Sequence, residues 1–315
     1  MLKMAELDVE LNFYTSVYLD YWLGSAFRGS FGRYLKFVCC TAKIPECMCC
    51  NDRKDCLFFY IYENTDSARG YSSPVKPIIF IPPFFGRKLM YSNGMHYTLK
   101  ILMFGKFEKF LPYIVQGLNY LGRRGLGSLR YDNMNRFYVE KINCGFSGNL
   151  IYNGDVVEYD KLMPFKINNL LPYKRDELII GFRTPYIGDD FPLPFHKLLK
   201  KIRNRLILFT NQYGNQQKIP NFKTKGRIID FKRHPHFLKR KSLRSGKQTF
   251  RGCTGIIKYE LDEIDIVGRW LITVGTILGL GPNSSFGLGF IKQLDQFKFP
   301  LEIASTNEIE IVQSV

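Results

Sequence analysis

Nowhere in the 315 residues does an apolar run approach the roughly 20 needed to cross a bilayer; the longest stretches, such as Trp270–Gly281, stop short. No membrane span or membrane partner is therefore expected, and the chain reads as a soluble, cytoplasmic protein. The first residues, MLKMAELDVELNF, alternate and carry acids, so they do not resemble a signal peptide. No Gly-Lys-Ser/Thr closes either Gly-rich segment, Gly122–Gly127 or Gly279–Gly289, which excludes a phosphate loop. Neither segment sits between an early strand and a helix, as the dinucleotide fingerprint requires. Histidine is scarce, four in all, and none falls between Tyr21 and Val38. Acids are outnumbered, 28 Asp+Glu against 45 Lys+Arg, which leaves a net charge of +17. Apolar residues are not scarce: at 45% they supply a core and argue against disorder, over a length that suits one large or two modest domains.

The excess charge is concentrated. Between Lys197 and Arg251 stand 17 of the 45 Lys/Arg and a single acid, Asp230, so that segment carries +16 of the +17. Phe209, Tyr213, Phe222, Phe231, Phe237 and Phe250 interleave with the cations. Cations neutralise phosphates and release counterions, and flat rings stack on unpaired bases. A merely solubilising face does not need its charge gathered in one segment. An anionic polymer is the expected partner, nucleic acid ahead of anionic lipid.

Along the chain, 6–14 alternates as a half-buried strand and 22–39 has apolar residues near helical spacing. The Pro-rich stretch 74–85 is extended, 95–104 alternates, 109–121 is helical, and a strand falls near 135–142. A Gly- and Asn-rich boundary lies near 144–153. The second half repeats this grammar, with strand-like 178–183, a basic helix over 193–209, and strand patterns at 226–231 and 254–260. An apolar helix over 266–278, a Gly-rich loop over 279–289 and a strand from Phe290 complete it. The expectation is two α+β units, residues 1–147 and 148–315, each an antiparallel sheet with helices on one face.

Six of the eight cysteines fall in an insertion, residues 39–56. Cys47-x2-Cys50 has knuckle spacing, with Cys40 and Cys56 on either side. Structural zinc on Cys40, Cys47, Cys50 and Cys56 is the leading reading, with Lys43, Arg53 and Lys54 favouring thiolates. An iron–sulfur cluster, local disulfides and unligated thiols are the alternatives. Cys144 and Cys253 stand alone and read as small buried hydrophobes.

The run RSGKQTFRGCTGIIKYE, followed by RWLITVGTILGLGPNSSFGLGFIKQL, resembles the C-terminal part of CRISPR-associated precursor-RNA-processing endoribonucleases of the RAMP superfamily. Their hallmark is a Gly-rich loop, here Gly279–Gly289. AFRGSFGRYLKFVCC, CLFFYIYEN and LPYIVQGLNYLGRRGLGSLRY resemble the same family's first domain, so the likeness runs through most of the chain in order. It implies two tandem ferredoxin-like (RRM-like) domains that bind CRISPR repeat RNA. It also implies cleavage without metal, by attack of a 2′-hydroxyl on the adjacent phosphate. The alternative within the superfamily is a non-catalytic subunit that holds guide RNA beside other CRISPR effector subunits.

Such chemistry needs a base, an acid and cations or amides on the phosphorane. Where relatives place a histidine, in 21–38 or at Gly279, this chain has none, and the lysine they carry at Pro282 is also missing. His96 and His196 read as structural. The catalytic candidates are therefore His234, His236, Tyr34 and Lys36. The RNA-binding candidates are Arg28 and Arg33 on the first helix, then Lys223, Lys225, Arg227, Lys232, Arg233, Lys239, Arg240, Lys241, Arg244, Lys247 and Arg251 in the basic segment. Gly281, Ser284, Ser285, Gly287 and Gly289 of the loop join them, because glycine lets backbone N–H groups approach a phosphate.

Overall fold

A computed structural model describes residues 2–42, 46–66, 74–92, 94–127, 132–216, 218–242, 246–281 and 283–298. The first unit begins with β1 (Lys3–Phe13), in which Ala5, Leu7, Val9, Leu11 and Phe13 are buried and the alternate acids Glu6, Asp8 and Glu10 are half-exposed. That period of two is the strand signal seen in the sequence. β2 (Val17–Leu19), α1 (Gly24–Cys39), β3 (Ile78–Ile81), β4 (Leu89–Tyr91), β5 (Met95–Phe104), α2 (Phe107–Arg124) and β6 (Phe137–Cys144) follow. The sheet runs β3-β5-β1-β6, all antiparallel, and β2 pairs only with β4. Phe27, Phe31 and Leu35 of α1 and Phe110, Ile114 and Leu118 of α2 pack on one face.

The other face of this sheet is buried as well. Met4, Ile79, Ile81, Leu102 and Phe104 belong to the core of the second unit, and the Phe104 ring lies 4.3 Å from that of Phe209. Burial on both faces is why β3 (IIFI) and the end of β5 (ILMF) read as continuous apolar runs instead of alternating.

The second unit comprises β9 (Glu177–Tyr186), α3 (Phe195–Tyr213), β10 (Thr224–Ser242), β11 (Gly246–Ile264), α4 (Ile266–Leu278) and β12 (Ile291–Leu294), in sheet order β10-β11-β9-β12. Both units therefore run β-α-β-β-α-β with the same strand order, and the fold is a tandem of ferredoxin-like domains. Asp265 caps α4 by accepting from the Gly268 N–H at 2.7 Å.

Two expectations are corrected. The break at 147/148 falls inside the first unit. β7 (Leu150–Tyr152) pairs with β6, and β8 (Phe165–Lys166) pairs with the start of β1, so the first sheet continues to Lys166. The short strands expected at 226–231 and 254–260 are pieces of one long hairpin, each arm 19 residues, paired from Thr224↔Ile264 to Ser242↔Gly246. The outer half of β10 is largely solvent-facing, so no apolar alternation announced it. Its Pro235 is tolerated because β10 is an edge strand. Among the described residues no helix is long and apolar enough to cross a membrane.

Candidate nucleic-acid interface

The outer half of the hairpin is both basic and aromatic on its surface. Lys232, Arg233, Lys239, Lys247 and Arg251 are exposed, and so are Phe231 (45%) and Phe237 (61%). Alternation decides which residues do what. Phe237 and Lys239, paired with Arg251 and Thr249, turn outward, and the Arg251 guanidinium lies 5.9 Å from the Phe237 ring. His236, Leu238 and Arg240, with Phe250 opposite Leu238, turn toward the first unit.

There they meet Trp22, Phe84 and the Gly-rich loop. Leu238 is fully buried with Trp22 and Leu288, and Phe250 and Phe286 pack around them. The Tyr21 hydroxyl donates to the Phe237 carbonyl at 2.7 Å, and Trp22 Nε1 donates to the Phe286 carbonyl at 3.2 Å. The His236 ring meets Phe84 edge-on at 4.7 Å, and its Nε2 is 2.8 Å from Thr254 Oγ1. Burial, with His234 beside it, pushes the His236 pKa below the usual imidazole value.

Two guanidiniums converge on the Phe286 ring, Arg240 at 4.1 Å and Arg28 at 5.5 Å, and Arg28 also lies 4.8 Å from Tyr62. Burial lowers the pKa of both, and for Arg240 the charge of Arg28 adds to the effect. Arg240 also donates from Nη1 to Gln248 Oε1 at 3.3 Å, and among the described residues neither guanidinium is in an ion pair with a carboxylate. Partly desolvated cations without a counter-charge favour an arriving anion.

The loop packs into the seam, and three of its amides bond within the protein: Phe286 N–H to Asn283 O, Gly287 N–H to Ser284 O and Gly289 N–H to Pro185 O. Ser284 is buried at 2%, so its hydroxyl does not face an incoming phosphate. Gly287 has φ +74°, and a Cβ there would stand 2.5 Å from the Phe80 carbonyl. The glycines let the loop plug the seam between the units. Arg205, buried, donates from Nε to the Leu278 carbonyl at 2.6 Å and from Nη1 to Gly281 O at 3.5 Å, fixing the loop's entry; burial pushes its pKa down to about 9.

The remaining candidates scatter. Tyr34 is 5% exposed, packs on Phe31 and Tyr120, and donates to Gln116 Oε1 at 3.2 Å. Lys36 lies over Phe58, about 12 Å along α1 from Arg28 at 1.5 Å per residue. Neither joins His236, so the four catalytic candidates do not form one constellation. Arg28, at 9% exposure, is not on the open surface, and Arg33 bonds Ser30 Oγ on the exposed side of α1. Arg227 pairs with Glu260, while Lys223 and Lys225 are exposed at the hairpin's foot. Arg244 and the Lys241 side chain lie outside the described residues. Tyr21, Trp22, Phe84 and Phe286 were missed because nothing local in the sequence marks a residue whose partner lies in the other domain.

The zinc set lies elsewhere, in the insertion after α1. Among the described residues, no three His, Cys, Asp or Glu side chains stand gathered for a metal ion.

The N-terminal-domain profile of the AF_1859 family matches residues 2–162, and its C-terminal-domain profile matches 178–293. An uncharacterized protein of Archaeoglobus fulgidus is 34% identical over 293 residues, 92% of this chain and 98% of that one. In fold the chain is similar to Thermus thermophilus Cas6, with TM-score 0.50 and 13% identity over 93% of this chain and 99% of that one. It is also similar to a chain of a partial Cas6-RT-Cas1–Cas2 complex, with TM-score 0.53 and 12% identity over 95% of this chain and 47% of that one. The two-domain profile match, the near full-length relative and the tandem ferredoxin-like architecture agree: the chain belongs to the AF_1859 family and has a Cas6-like fold.

Proposed function

We propose that this protein binds CRISPR repeat RNA along the β10–β11 hairpin and into the seam below it, and cuts it there without metal. The observation that supports this reading is the exposed basic and aromatic face of the hairpin, leading to Arg240 and Arg28, which form no ion pair with a carboxylate among the described residues. Single-stranded nucleotides would stack on Phe231 and Phe237 while Lys232, Arg233, Lys239 and Arg251 take phosphates. At the seam, His236 would be neutral at pH 7, as a base must be, and Arg240 would face the phosphorane. The 2′-oxygen would lose its proton to the imidazole and bond to phosphorus as the P–O5′ bond breaks, the departing 5′-oxygen taking a proton from solvent, to leave a cyclic phosphate and a 5′-hydroxyl.

One observation favours a second reading, a guide-RNA-holding RAMP subunit that does not cut: Tyr34 and Lys36 stand away from the histidines. A single assay separates the two. Labelled repeat RNA is incubated with the protein in EDTA, alongside RNA with one 2′-deoxy residue at the cut position. Cleavage of the first RNA alone supports the nuclease. Binding of both with cleavage of neither supports the subunit, and failure to bind either overturns both.

A further inference from the structure

The insertion between α1 and β3 holds a small, partly open cavity of its own. Cys39, Cys40, Cys47, Cys50 and Cys56 line one cavity of about 30 Å³, whose wall also includes Phe58 and Phe59. Five thiols around one small space is more than packing requires. Cys49, the sixth cysteine of the insertion, is exposed outside the cavity with its sulfur 3.8 Å from Glu46. Cys39 already has a role, because it ends α1 and packs on the core of the first unit.

Four remain, from three short pieces of chain. Cys40 follows α1, its N–H closing the helix on Lys36 O at 3.0 Å. Cys47 and Cys50 bracket a tight turn in which the Cys50 N–H donates to Cys47 O at 3.2 Å, and Cys56 ends the loop. We propose that Cys40, Cys47, Cys50 and Cys56 bind one zinc ion in this cavity, and that the ion fixes the segment which carries Tyr62.

Four thiols are the donor set of a structural zinc site, and a cavity of about 30 Å³ suits a single ion. The sulfurs line the wall without being drawn together, so binding asks each cysteine to turn about its one side-chain torsion. Each thiol then gives its proton to solvent, and four Zn–S bonds of about 2.3 Å replace four S–H bonds. Arg53 and Asp52 both stand on the cavity wall, so the guanidinium offsets part of the resulting negative charge while the carboxylate adds to it.

The stretch of chain beyond Cys56 links this site to the seam. The helical turn Phe59–Glu63 begins three residues on, stacks Phe58 on Tyr62 at 5.5 Å, and sets the Tyr62 hydroxyl to donate to the Arg28 carbonyl at 2.7 Å. The same ring lies under the Arg28 guanidinium. A metal at the start of this turn would therefore hold the aromatic support of a seam cation, without touching RNA itself.

Metal content is the test, and it does not depend on the RNA reading. Full-length protein made with zinc in the medium should carry about one equivalent by elemental analysis, released by a thiol reagent. Cobalt added to the metal-free chain should give intense thiolate charge-transfer absorption. Cys49→Ser should keep the metal, and Cys47→Ser combined with Cys56→Ser should lose it. Should the double variant not fold, Cys50→Ser and the wild-type cobalt spectrum decide. Wild-type protein below about 0.2 equivalents of zinc would overturn the proposal. So would a cobalt spectrum without charge-transfer bands, iron with labile sulfide, or equal metal loss in Cys49→Ser.

Discussion

Replacing Lys232, Arg233, Lys239 and Arg251 with Gln removes four exposed cations from the outer hairpin, none of them in an ion pair with a carboxylate. If each neutralises one phosphate of a single strand, the slope of log affinity against log salt should flatten by about 2.8, at about 0.7 per contact. Across a fourfold change in salt, from about 50 to 200 mM, that slope corresponds to roughly a 50-fold change in affinity that the variant no longer shows. The comparison variant replaces Lys54, Lys109, Arg123 and Lys166, exposed on the first unit, so both proteins lose the same net charge. Fluorescence anisotropy with a labelled single-stranded RNA, at several salt concentrations, gives both slopes. The hairpin variant should flatten and the control should follow wild type. Equal flattening in both would mean that RNA responds to overall charge, and the placement on the hairpin would be wrong.

Phe237→Ala should weaken RNA binding by about 1–3 kcal/mol, the worth of one stacked base, while leaving the salt slope unchanged; a changed slope would show a role through charge placement instead. Gly287→Ala should lower urea stability by more than about 1 kcal/mol, because it adds a Cβ at positive φ and 2.5 Å from the Phe80 carbonyl; stability unchanged within error would remove the close-packed seam from the account. His236 has its pKa lowered by burial, so the unfolded chain takes its proton first as pH falls below about 6.5. Stability should therefore drop from pH 7.5 to about 5.5, and His236→Gln should drop less. Parallel urea midpoints would show that the imidazole is not the group responsible.

The legible parts of the fold were those with one clear side. β1 alternates, α4 is mainly apolar with Leu271, Ile272, Val274 and Leu278 buried, and β5 was read to its observed ends at Met95 and Phe104. The hairpin was under-read because β10 is an edge strand whose outer half faces solvent, so main-chain pairing with β11 holds it as much as any side-chain pattern. The unit boundary was misplaced for a related reason. The two-residue β8 carries no pattern at all and is a strand only because β1 offers a free edge beside Met4. In the site, the cationic residues could be read directly, since charge density is a property of composition. Which cations have partners could not. Arg227 meets Glu260, Lys201 meets Asp190, and Arg203 bonds the carbonyls of Ile219 and Pro220, all through the folded geometry.

The sequence by itself determined that this chain has two α+β units and that nearly all of its excess charge, +16 of +17, lies in 55 consecutive residues. Both features come from local periodicity and from counting, which need no partner across the chain. Only the tertiary structure decided that the Gly-rich loop is a plug with the Gly287 and Gly289 amides engaged, that Arg28 is enclosed between Tyr62 and Phe286, and that Tyr34 and Lys36 stand apart from the histidines. Each depends on contacts between residues far apart in sequence, and one strand's alternation sends Phe237 to solvent while it turns Leu238 into the seam.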